Sequence, residues 1–88
     1  MFEIRIYISG QTKKSATIIE KLRKVLDSEL KGQYSLEIID VLEKPELALR
    51  DRVLATPTVA KVSPLPLRRI VGDLSDKEKV LAGLNLLN

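Results

Sequence analysis

An α/β domain with the order β-α-β-α-β-β-α and a four-stranded mixed sheet is what the sequence predicts, on three observations. Apolar residues alternate strictly over residues 2–9, then recur at helical spacing from Lys13 to Leu30. Two short β-prone runs flank Ser63-Pro64-Leu65-Pro66 and are followed by a capped helical stretch.

In the first strand Phe2, Ile4, Ile6 and Ile8 point one way, and Glu3, Arg5, Tyr7 and Ser9 the other. Gly10-Gln11-Thr12 breaks the alternation. The first helix places Ile18, Leu22, Val25, Leu26 and Leu30 on one face and its charges on the opposite one. Thr12 is its expected N-cap and Gly32 its stop. Residues 34–41 form a second strand, giving a βαβ unit with parallel strands and a right-handed crossover. Pro45 suits the first turn of a short helix running from Glu46 to about Leu54, with Leu47, Leu49, Val53 and Leu54 as its apolar contacts. Thr58–Val62 and Leu67–Val71 read as an antiparallel hairpin. Ser75 with Glu78 has the capping-box spacing, and Val80, Leu81, Leu84 and Leu87 form the buried face of the last helix. One sheet with helices on both faces is the thioredoxin-like architecture.

The 88 residues make one domain, and Phe2, Tyr7 and Tyr34 are the only aromatics, so its core must be aliphatic. No apolar run is long enough for a bilayer, the N-terminus lacks a signal-peptide block, and cysteine is absent. These features point to the bacterial cytoplasm. A net charge of +3 spread along the chain, with few aromatics, argues against nucleic-acid binding and leaves a mild preference for acidic protein surfaces.

In thioredoxin-like enzymes the reactive dithiol sits where the first strand meets the first helix. Here that junction reads Ser9-Gly10-Gln11-Thr12-Lys13-Lys14-Ser15, which excludes thiol redox chemistry. Histidine is also absent, and the acids show no metal-loop spacing. Thr12 and Ser15 have no activating base and read as caps. No cofactor is implied. Pro57, in Ala55-Thr56-Pro57-Thr58, either ends the second helix in trans or takes the cis form characteristic of this place in the fold; the context favours cis. Lys61, Arg68 and Arg69 around the hairpin read as an exposed basic face.

Residues 31–42 (KGQYSLEIIDVL), 54–62 (LATPTVAKV) and 67–81 (LRRIVGDLSDKEKVL), together with Tyr7-Ile8-Ser9-Gly10, resemble the KaiB family over nearly the whole chain. The resemblance implies a protein without catalytic activity that binds the ATPase ring of hexameric KaiC, and that helps capture KaiA so that KaiC loses its phosphorylation stimulus. It also implies a family able to switch fold. The ground state is tetrameric, with the order β-α-β-β-α-α-β; the binding-competent state is monomeric and thioredoxin-like, and proline isomerisation accompanies the change.

By matching position, Arg52, Lys61 and Arg69 correspond to basic family residues of partner contact or assembly. Pro57, Pro64 and Pro66 match prolines of the switching half, and Gly83 a glycine that influences the balance of folds. Departures accompany these matches. Glu37 stands where relatives carry a basic residue on the edge implicated in KaiA capture, Leu65 interrupts a proline run, and Asn85 and Asn88 replace residues that are often Asp and Tyr. The usual acidic tail does not follow. These departures tilt the expectation toward the thioredoxin-like fold. Two other readings accompany the KaiC regulator: a sensor module of a clock-linked (clock output) histidine kinase, and a paralogue serving stress responses.

Overall fold

Alternation along Phe2–Ile8 gives β1 one apolar face, Phe2, Ile4, Ile6 and Ile8, and a second, mixed face of Glu3, Arg5 and Tyr7. In the computed structural model, which describes residues 1–72, 74 and 76–86, β1 is an inner strand of the sheet. The elements are β1 (Phe2–Ile8), α1 (Lys13–Leu30), β2 (Tyr34–Asp40), α2 (Pro45–Arg50), β3 (Thr58–Ser63), β4 (Arg68–Val71) and α3 (Lys77–Gly83). The sheet order is β2-β1-β3-β4. β2 runs parallel to β1, with Phe2 opposite Tyr34 and Ile8 opposite Asp40. β3 is antiparallel to β1 and β4 to β3. The predicted order and mixed sheet are those observed. Among the described residues, no helix is long and apolar enough to cross a membrane.

The two faces of the sheet are covered unequally. Ile4, Ile6, Ile8 and Val59 pack with Leu22 and Leu26 of α1, with Val80 of α3 and with Leu84 at its end in the main core. On the other face Tyr7, Ile39 and Ala60 form a small cluster, joined by half-buried Val41, Leu47 and Val53. α2 is the helix of this second face, and none of its residues is fully buried.

The helix ends follow local chemistry. Thr12 caps α1, its hydroxyl accepting from the Ser15 amide at 3.1 Å. The chain leaves α1 through Lys31 and Gly32, both at positive φ. α2 stops at Arg50, earlier than the spacing suggests. The Arg52 amide donates to the Leu49 carbonyl at 3.3 Å and the Val53 amide to the Ala48 carbonyl at 2.9 Å. With Arg52 at φ 55, this is a Schellman ending whose left-handed position is filled by arginine instead of the usual glycine. Leu49 and Leu54, expected as apolar contacts, are therefore 82% and 98% exposed; Leu47 and Val53 alone of that set reach the sheet.

α3 ends the same way. Asn85 has φ 57, its amide donates to the Ala82 carbonyl, and the Leu86 amide donates to the Leu81 carbonyl at 2.8 Å. Leu81 and Leu86 are both buried, the apolar pair that accompanies such an ending. At the start of α3 the cap is Asp76, which accepts from the Lys79 amide at 3.2 Å. The expected cap Ser75 and the expected core residue Leu87 lie outside the described residues, as does Asn88.

Candidate partner-binding groove

On the α2 face, α2 lies over β1 and β2, and beside it a groove of about 390 Å³ opens toward β3 and β4. Ala60, Val62 and Leu67 supply its apolar part, and Arg5, Arg50, Arg52 and Arg69 its charge, around Tyr7 and Asp51. Strand alternation explains the placement. Arg5 and Tyr7 are two residues apart on β1, and Ala60 pairs with both Arg5 and Arg69 in the strand register, so these side chains share one face.

Asp51 is the hub. Its carboxylate accepts Arg50 Nε at 2.7 Å, Arg50 Nη2 at 2.9 Å and the Tyr7 hydroxyl at 2.6 Å, with Arg5 Nη1 at 3.8 Å. The Arg50 fork, followed by the Tyr7 hydrogen bond, holds the Asp51 carboxyl down at about 2, against the upward pull of burial. Burial, reinforced by the bond to Asp51, pushes the Tyr7 phenol above its ordinary value. Arg5 also donates Nε to Glu37 Oε1 at 3.0 Å across β1 and β2. The residue expected to alter a basic sheet edge is thus paired with an arginine of the neighbouring strand.

Two of the three basic residues matched to partner contact come together here. Arg69 Nη1 donates to the Asp51 carbonyl at 2.9 Å and to the Arg52 carbonyl at 3.4 Å. These bonds engage the guanidinium but leave its positive charge unneutralised. Lys61 corrects the expectation of an exposed basic face. It pairs with Ile4 in the register, shares the main-core face with Val59, and is 2% exposed. A lysine in a central strand is covered by the helices packed on that face, whatever its charge suggests.

The residues matched to fold switching are dispersed. Pro57 stands before β3, where its carbonyl accepts from the Gly72 amide at 3.0 Å, and its bond to Thr56 is cis. The bonds preceding Pro64 and Pro66, in the hairpin loop, are also cis. Gly83 lies against β4, where an added Cβ would collide with Ile70 Cγ2. Asn85 fills the left-handed ending of α3.

Where β1 meets α1, the Ser9 hydroxyl lies 2.8 Å from that of Thr56, in the loop that carries Pro57. Among the described residues, no group of three or more acids could hold a metal. Sequence reasoning left Arg5, Arg50 and Asp51 unassigned. One signal was available: the charged residues Glu3 and Arg5 on the second face of β1 mark that face as incompletely covered.

A family model described as the KaiB domain matches residues 5–86. A circadian clock oscillator protein KaiB from Prochlorococcus marinus is 54% identical over 84 residues, covering 96% of this chain and 80% of that protein. Among solved structures, the N-terminal domain of Synechococcus elongatus SasA aligns with TM-score 0.79 at 21% identity, over 99% of this chain and 86% of that one. Mitochondrial thioredoxin 3 of Saccharomyces cerevisiae aligns with TM-score 0.73 at 18% identity, over 98% and 78%. These two structural likenesses carry the thioredoxin-like fold alone.

Proposed function

The chain belongs to the KaiB family, and from that premise we propose that it is a non-catalytic clock regulator that binds the KaiC ATPase ring and opposes KaiA-stimulated phosphorylation of KaiC. The observation that carries the reading is the groove lined by both Arg52 and Arg69, matched to family contact residues, where the Arg69 guanidinium donates to the Arg52 carbonyl. Such a surface suits an acidic partner segment, steering its approach and fixing its register. Exposed Leu67 and Val71 beside Arg69 supply apolar area that the fold itself leaves uncovered.

In this reading the whole chain acts as one cytoplasmic domain, and its thioredoxin-like form is the monomeric, binding-competent one. The tetrameric ground state is the competing population. Where only a fraction of molecules is competent, apparent affinity falls by that fraction. The Glu37–Arg5 pair neutralises the β2 edge, so capture of KaiA there is weaker than in relatives with a basic residue at that position. The sensor-module reading rests on a fold likeness at 21% identity, against 54% identity to a circadian clock oscillator protein KaiB, and is the less supported of the two.

The test is the time course of binding to a KaiC hexamer held in its binding-competent phosphorylation state. Binding within seconds is expected, lost on charge reversal by Arg52→Glu with Arg69→Glu and weakened by salt. Binding over many minutes to hours would show that the ground state dominates. Absence of binding by the folded chain would overturn the regulator reading.

A further inference from the structure

A residue that meets no partner can still decide how the groove is built. Asp51 ends α2 and is tied to three elements at once: Tyr7 and Arg5 of β1, Arg50 of α2 and Arg69 of β4. Its side chain is only 18% exposed, and its oxygens are occupied by the Arg50 fork and the Tyr7 hydroxyl. A carboxylate so engaged has little acceptor capacity left for a third party. Its backbone does separate work. The Asp51 carbonyl receives Arg69 Nη1, and the next residue, Arg52, takes the left-handed conformation that a side chain disfavours. α2 has no fully buried residue, so beyond half-buried Leu47 and Val53 and the backbone bonds of its ending, this polar junction is what ties its end to β1 and β4.

We propose that Asp51 is a positioning residue of the partner groove, setting where Arg52 and Arg69 stand without touching the partner. The inference rests on the groove being the contact surface proposed above. It predicts that Asp51 acts through the two arginines and has no independent share in binding.

The experiment pairs Asp51→Asn, which keeps the shape and removes the charge, with two readouts. The first is the equilibrium dissociation constant for the KaiC hexamer, measured in the parent and in an Arg52→Ala, Arg69→Ala background. Asp51→Asn is expected to weaken binding about tenfold in the parent and to add nothing in that background, the signature of coupled residues. An undiminished loss in the background would overturn the proposal. The second readout needs no partner: the one-bond Cα–Hα coupling constant of Arg52, which separates positive from negative φ. It is expected to leave its left-handed value in Asp51→Asn, and an unchanged coupling would overturn the proposal. Tyr7→Phe removes one hydrogen bond to Asp51 while keeping every charge. It should shift both readouts the same way by less, so the question stays decidable if Asp51→Asn folds poorly. If the parent does not bind the hexamer, the partner reading fails, and the Arg52 coupling still decides the role of Asp51.

Discussion

One face of the sheet is held by area and the other by charge. Beneath α1 and α3, Ile4, Ile6, Leu22, Leu26, Val59, Val80 and Leu84 exclude water almost completely. Burial on that scale, at about 25 cal/mol per Å² of apolar surface, is what drives a domain of this size to fold. Beneath α2 the buried apolar cluster is small, Tyr7, Ile39 and Ala60, and the helix is anchored by Asp51 and its arginines. Hydrogen bonds and ion pairs contribute less per contact than a filled core, but they are directional. A face anchored this way can be left partly open, and the opening is the groove. The molecule divides its labour: the densely packed face carries the fold, and the thinly covered face carries the groove proposed as the partner surface.

Leu26→Ala is the largest expected break. It empties a fully buried site in the main core and should cost about 3 kcal/mol of unfolding free energy in urea titrations. Leu47→Ala on the α2 face should cost about 1 kcal/mol, since Leu47 is half-buried in a small cluster. Equal costs would abolish the distinction between the faces.

Gly83→Ala comes next. The new methyl meets Ile70 Cγ2, on a β-branched side chain with few rotamers to retreat into. Overpacking here should outweigh the better helix propensity of alanine and cost about 1–2 kcal/mol, read as a lower denaturation midpoint.

The acid limb of stability sharpens the comparison on the charged face. The Asp51 carboxyl is held below its ordinary 3.8, at about 2, so its contribution is full above pH 3.8 and fades as pH falls toward 2. Asp51→Asn should flatten that part of the stability–pH curve and leave the neutral range parallel to the parent. An identical acid limb in the two proteins would remove Asp51 from the account.

The smallest expected effect is also the most pointed. Arg52→Gly puts the preferred residue at a left-handed helix ending and should raise stability by roughly 0.5–1 kcal/mol. The same change should weaken binding to KaiC. Gains in both would mean that arginine is kept there for neither purpose.

Much of the fold was legible because its signals are local. Period two marked β1, period 3.6 marked α1, Thr12 marked a cap, and the prolines of Ser63-Pro64-Leu65-Pro66 marked the hairpin loop. These depend on neighbours within a few residues, which the sequence displays directly. The candidate site was legible only in part. Arg52 and Arg69 were singled out by their match to the KaiB family, but no local rule joins residues so far apart in the chain. Their meeting depends on the α2 face of the sheet and on the turn after Arg50.

Lys61 shows the limit most clearly. Its position on β3 determines which face it takes, but whether that face is covered depends on α1 and α3, packed from elsewhere in the chain. The sequence by itself determined the elements, their order and the absence of thiol chemistry, because each follows from residue type and short spacing. Only the tertiary structure decided which arginines share a surface, why Asp51 matters and how deep Lys61 lies, because each depends on contacts between segments distant in sequence.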